Sequence, residues 1–189
     1  MPFERNAEIY GEGEPADYLY KVVAGAVRTY KVLADGRRQI GSFYLPGDVF
    51  GLETGDNHSY SAEAISDAKI LVVERKALLA LATRDSEVAR QLWSATGQEL
   101  RRVQDHILVF IKSAKERVVS FLMEMAQRQP SSNDIVLPMS RQDIADYLGI
   151  TIETVSRTFS ELENSASIKL ASARHIVLCN RQALSLLNG

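Results

Sequence analysis

The chain has 189 residues, 46% hydrophobic and 24% charged, and its 22 basic and 24 acidic side chains leave a net charge of −2. That length and balance suit one large or two small folded domains and exclude a disordered or collagen-like chain, and the charge excludes a protein that coats nucleic acid by bulk positive charge. A single cysteine excludes a disulfide-stapled secreted scaffold, no apolar run approaches the ~18 residues of a membrane span, and residues 1–20 carry no signal-peptide pattern, so a reduced, cytoplasmic protein with no membrane partner is expected.

Eight of the eleven glycines lie in the first 55 residues. Between them run short stretches of β-branched and aromatic residues: 18–23, 26–32 and 39–44, with 68–74 closing the series. Apolar and polar side chains roughly alternate along these runs, as in half-buried strands. Asp35-Gly36 is a hairpin-turn signal between the second and third runs, and Pro46-Gly47-Asp48 is another turn. Many short strands with glycine turns predict a β-sandwich or roll over residues 1–83.

From Lys76 to Gln129 there is no proline and only one glycine, Gly97. Trp93, Thr96, Leu100, Val103, Ile107 and Phe110 follow one another at alternating spacings of three and four. That is a heptad seam along a helix from about Ser86 to Ile111, a dimerisation element over 84–111. A second stripe, Val88, Leu92 and Ala95 and then Leu108 and Ile111, predicts packing of another face on the β domain. A helix wedged between two parts of its own chain would show the same two stripes. Pro130-Ser-Ser-Asn133 has loop composition. Charge also divides here: residues 1–111 hold 13 basic and 16 acidic side chains, and residues 112–189 hold 9 and 8.

The segment 138–162 predicts two short helices joined by a tight turn. Ser140 is an N-cap with Asp143 in the first turn, Ile144, Ala145 and Leu148 form a buried face, and Gly149 permits the exit. Thr151 caps a second helix buried through Val155, Phe159 and Leu162. This is a helix-turn-helix pattern. Ile152, Glu153, Ser156 and Arg157 remain on the opposite side, near the end that reaches base edges in the major groove. Arg can hold guanine O6 and N7 with two hydrogen bonds, and a carboxylate can accept from cytosine N4. A plain Glu153–Arg157 surface ion pair is the alternative. Ser140, Arg141, Thr151, Thr154, Thr158 and Arg174 are candidate phosphate contacts. Residues 167–171 and 175–180 read as two strands around the turn Ser172-Ala-Arg174, a wing completing a domain over 112–189.

At these residues the chain resembles the Crp/Fnr superfamily of dimeric transcription regulators, most nearly its FixK-type branch. The resemblance spans the chain: a β-roll with Pro46-Gly47-Asp48, a helix with Val103-Gln-Asp-His106-Ile-Leu, the segment Ala114-Lys-Glu-Arg117-Val, and Glu153-Thr-Val-Ser156-Arg157. It implies an α+β protein with a β-roll (cupin or jelly-roll-like, of cyclic-nucleotide-binding type), a long central dimerisation helix and a winged helix-turn-helix. It also implies a homodimer on double-stranded DNA with TTGA-type half-sites, in contact with RNA polymerase as an activator, and no enzyme. Where the cyclic-nucleotide binders carry a carboxylate and an arginine, this chain has Leu52 and Tyr60, and Glu53 is one place off. A cyclic-nucleotide-gated regulator is therefore the lesser alternative. Iron–sulfur sensors of the family use four cysteines. Their β-roll cysteine position falls near Ile70-Leu-Val72, so neither a cluster nor any other cofactor is expected, even in a longer chain.

Cys179 reads first as a packed strand residue and second as a redox-sensitive thiol beside DNA. His58, His106 and His175 lack metal-site spacing and read as structural or surface residues.

Overall fold

The computed structural model describes residues 1–131 and 133–187. Ser132 of the predicted loop and the last two residues of the chain lie outside them. The chain divides into two compact units, Met1–Gln104 and the part from Asp105 onward.

The first unit is built on two four-stranded antiparallel sheets. One has the order β1 (Pro2–Phe3), β8 (Ala68–Glu74), β3 (Tyr18–Ala24), β6 (Val49–Phe50), and the other β2 (Glu8–Tyr10), β7 (Ser61–Ala64), β4 (Val27–Val32), β5 (Arg38–Tyr44). The predicted runs are strands, and Asp35-Gly36 closes the β4–β5 hairpin. Tyr10, Tyr20, Val22, Val27, Phe50 and Ile70 fill the core. Pro46-Gly47-Asp48 turns the chain from β5 into β6. Gly47 sits at φ +100°, in the left-handed region that favours glycine, and Asp48 accepts from the Leu45 N–H at 2.7 Å. After β8 come α1 (Arg75–Ala82) and α2 (Ser86–Val109), the latter about 36 Å long at 1.5 Å per residue. α2 ends two residues before the predicted Ile111, because the Phe110 N–H turns back to Ile107 O in a tighter last turn.

The second unit begins inside α2. It continues through α3 (Ala114–Gln127), β9 (Asp134–Val136), α4 (Arg141–Leu148), α5 (Ile152–Asn164), β10 (Ile168–Leu170), β11 (His175–Leu178) and α6 (Arg181–Leu187). The two predicted wing strands pair as β10 and β11, and β9, which the sequence pattern did not suggest, joins β11 as a third. Val118, Phe121 and Leu122 of α3 are buried, as are Ile144, Leu148, Val155, Phe159 and Leu162 of the helix pair.

Candidate nucleic-acid interface

The helix-turn-helix is fixed by its caps. Ser140 and Asp143 form a reciprocal capping box at the start of α4: the Asp143 N–H donates to Ser140 Oγ at 3.1 Å, and the Ser140 N–H donates to the Asp143 carboxylate at 2.9 Å. α4 ends at Gly149, whose φ of +63° is strained for a side-chain-bearing residue. A Cβ there would also come within 3.1 Å of the Phe110 ring. Thr151 then caps α5 by accepting from the Thr154 N–H at 3.2 Å.

α5 buries Val155, Thr158, Phe159 and Leu162 and leaves Ile152, Glu153, Ser156 and Arg157 exposed on its first two turns. The Arg157 side chain is 72% exposed, and its ion pair runs forward to Glu161 at 4.0 Å rather than back to Glu153. Glu161 is drawn also by Lys115 at 3.6 Å. A single exposed pair at that distance is worth little. The Glu153–Arg157 surface pair weighed from the sequence is not what the fold builds.

The predicted phosphate contacts differ among themselves. Thr151 is exposed and Thr154 half-buried at the helix start, their hydroxyls 3.1 Å apart. Ser140 spends its hydroxyl on the capping box, donating to Asp143 at 2.8 Å. Thr158 does not belong with them: it is only 4% exposed, within the buried stripe of α5. Arg141 is half-buried with its guanidinium carbon 3.4 Å from the centre of the Phe159 ring. Desolvation lowers the pKa of Arg141 from its ordinary range, and Nη1 is buried without a hydrogen-bond partner. It thus fastens α4 to α5 as much as it faces outward. Arg174 is half-buried at the wing turn, and Cys179 is exposed just after β11, its Sγ 3.7 Å from Val177 O.

The seam on α2 is largely open. Trp93 is 81% exposed, Leu100 58% and Ile107 60%, with Thr96 and Val103 also exposed. Phe110 is exposed as well, though its ring meets His106 edge-on at 4.9 Å and lies 5.5 Å from the Arg117 guanidinium. The second stripe is split: Val88, Leu92 and Ala95 are half-buried, but Leu108 and Ile111, in the second unit, are exposed.

In the β-roll, Leu52 is half-buried and Tyr60 exposed. Glu53 turns inward instead, 3.4 Å from His58 Nδ1, and His58 stacks on Tyr10 at 3.5 Å. His106 stacks on Tyr147 at 4.0 Å, and burial pushes its pKa from near 6.5 down to about 4. His175 Nε2 contacts Asp134. No group of three or more His, Cys, Asp or Glu among the described residues could hold a metal ion, and no helix is long and apolar enough to cross a membrane.

Two groups escaped the sequence reading. Ser113-Ala-Lys-Glu116 is a capping box that starts α3, with the Ser113 N–H donating to Glu116 at 2.7 Å. Its S-x-x-E spacing was the available signal. Arg117, one residue further, donates to three main-chain carbonyls, and carbonyl acceptors leave no mark on residue type.

Residues 116–187 match the Crp-like helix-turn-helix domain, and residues 1–85 match the cyclic nucleotide-binding domain. The chain is 48% identical to the nitrogen fixation regulation protein FixK of Azorhizobium caulinodans, over 98% of this chain and 77% of that protein. It is 43% identical to the FixK protein of Rhizobium meliloti, over 96% of this chain and 83% of that protein. Among solved structures, FixK2 from Bradyrhizobium japonicum superposes with a TM-score of 0.95 at 52% identity, covering 100% of this chain and 96% of that one.

Proposed function

The chain belongs to the Crp/Fnr family of DNA-binding transcription regulators, in its FixK-type branch, and from that membership we propose that it works as a homodimer reading a palindrome of TTGA-type half-sites. The observation that carries this reading is the exposed quartet on the first turns of α5, free of any ion pair within itself. Arg157 clamps a guanine through O6 and N7, Glu153 accepts from a cytosine N4, Ile152 packs on a thymine methyl, and Ser156 bonds a base edge. Thr151, Thr154, Arg174 and the outward edge of Arg141 take phosphates, together with the Ser140 turn, and hold the register. Pairing through Trp93, Thr96, Leu100, Val103 and Ile107, with Phe110 at the end of the seam, sets two recognition helices about 34 Å apart, one DNA turn.

The protein acts in the cytoplasm as an activator that recruits RNA polymerase. It needs no cyclic nucleotide, since Leu52 and Tyr60 offer nothing to neutralise a cyclic phosphate, and no iron–sulfur cluster, since Ile70-Leu-Val72 holds no thiolate ligand. Oxidation of the exposed Cys179 adds bulk or negative charge near phosphates and weakens binding. If peroxide lowers the DNA affinity of wild type and of Cys179→Ser equally, that thiol role is wrong. The main test is selection of sites from a random DNA pool, repeated with Arg157→Ala. A TTGA palindrome should emerge for wild type, with its guanine relaxed for the variant. The match of residues 1–85 to a cyclic nucleotide-binding domain favours a second, ligand-gated reading, which calorimetry with cyclic AMP and cyclic GMP decides.

A further inference from the structure

Three carbonyls converge on one side chain. Arg117 lies in the first turn of α3, where the Ser113–Glu116 capping box and its own N–H, bonded to Ser113 O at 2.9 Å, fix its backbone. Its Nη2 donates to Phe110 O at 2.8 Å and its Nε to Lys112 O at 3.0 Å, both just past the end of α2. Its Nη1 donates to Leu148 O at 3.0 Å, the last residue of α4. Leu148 O is one of the carbonyls with no partner inside α4, at the negative end of its dipole, whereas Phe110 O and Lys112 O belong to the turn between α2 and α3. A planar fork of donors can serve that turn and the end of α4 at once, whereas a lysine is a single point charge.

The neighbours complete a joint. The Phe110 ring lies under the guanidinium at 5.5 Å and against Gly149, where a Cβ would be within 3.1 Å. His106, one turn back on α2, stacks on Tyr147 of α4. The end of the pairing helix is thereby fastened to the first helix of the helix-turn-helix, at the residue just before the turn.

We propose that Arg117 is a positioning residue that holds the last turn of α2 and the segment after it on the end of α4, and so selects the half-site spacing that the dimer accepts. This rests on the dimeric DNA-reading function proposed above. Arg117 reads no base. Its effect passes through the carbonyls of Phe110, Lys112 and Leu148, so losing it should leave half-site preference intact and blur spacing preference.

The test uses the full chain as wild type, Arg117→Lys and Arg117→Met. Affinity is measured on palindromes at the selected spacing, on the same half-sites moved together or apart by one base pair (a shift of about 3.4 Å along the axis), and on palindromes with one altered half-site base. For the variants, affinity at the selected spacing should fall at least about tenfold, the scale of a single charge-assisted hydrogen bond of the three that Arg117 makes, while affinity at shifted spacings stays unchanged. Discrimination against the altered base should be kept. A fall by one common factor at every spacing overturns the proposal, since general destabilisation would act that way, and so does unchanged spacing preference. If Arg117→Met does not fold, Arg117→Lys decides by the same criteria. Wild type that shows no spacing preference refutes the dimeric reading itself, a different failure.

Discussion

The hydroxyl of Tyr44, at the end of β5, donates to the carboxylate of Glu99, midway along α2, at 2.8 Å. The contact belongs to a larger set: Arg102 gives one hydrogen bond to Glu99 at 2.8 Å and another to Asp48 at 2.9 Å, and its guanidinium lies 5.3 Å from the Tyr44 ring. Burial and the Glu99 charge push the Tyr44 pKa well above the ordinary tyrosine range, so the phenol stays a donor. The Asp of Pro46-Gly47-Asp48 thus serves twice, with one oxygen on the Leu45 N–H and the other on a helix residue 54 positions away.

Arg102→Met removes the donor shared by two largely buried carboxylates. The expected loss is about 1.5–3 kcal/mol of stability by urea unfolding, the scale of a hydrogen bond to a charged group, since Asp48 and Glu99 keep their other donors. In a double-mutant cycle with Asp48→Asn, the second change should cost less in the Arg102→Met background than alone. Additive effects would show that the pair is not coupled.

His106 sets a pH dependence. Its folded pKa, about 4, lies below the ordinary 6.5 because burial against Tyr147 disfavours the charged ring. The unfolded chain therefore binds more protons between those values, so this group's contribution is full above about pH 6.5 and is lost as pH falls toward 4. His106→Phe keeps an aromatic ring for the stack and removes the titration. Urea midpoints followed from pH 7 to 4 should fall less steeply for the variant, and parallel profiles would remove His106 from the account.

Arg157→Ala should cost about 1–3 kcal/mol on the preferred site and relax selection at one base pair, with little change on random DNA. Glu153→Ala should relax a different base pair. Arg141→Ala behaves otherwise, since its guanidinium covers Phe159: binding to specific and random DNA should fall together, and thermal stability with them. Gel shifts on matched and mismatched sites, beside melting curves, separate the three.

What could be read from residues alone followed a physical division. Strand periodicity, the Asp35-Gly36 turn and the Ser140, Gly149 and Thr151 caps are local signals, and each element appears where they point. Thr158 was legible too, because it lies three residues past Val155 and four before Leu162, in the middle of the apolar stripe. Assigning it to phosphate ignored that spacing. β9 has only three residues, too few for an alternation to stand out. The Arg141–Phe159 stack, the Tyr44–Glu99–Arg102–Asp48 set and the Arg117 joint depend on distant segments meeting, which no local pattern encodes.

The seam on α2 gives the last expectation. Trp93, Leu100, Val103 and Ile107 are exposed apolar side chains at heptad spacing, and α2 is long enough for three such repeats. In the proposed dimer a two-fold axis doubles each substitution, since every seam residue would occur on both helices. Burying one leucine is worth about 1.5–3 kcal/mol, so Leu100→Glu should cost the dimer about 3–6 kcal/mol before like-charge repulsion is added. That weakens pairing at least a hundredfold, read by sedimentation equilibrium. Palindrome binding should fall with it, while affinity for an isolated half-site should hold, because α5 lies outside the seam. A Leu100→Glu chain that sediments as wild type does would mean that this stripe faces something other than a second copy.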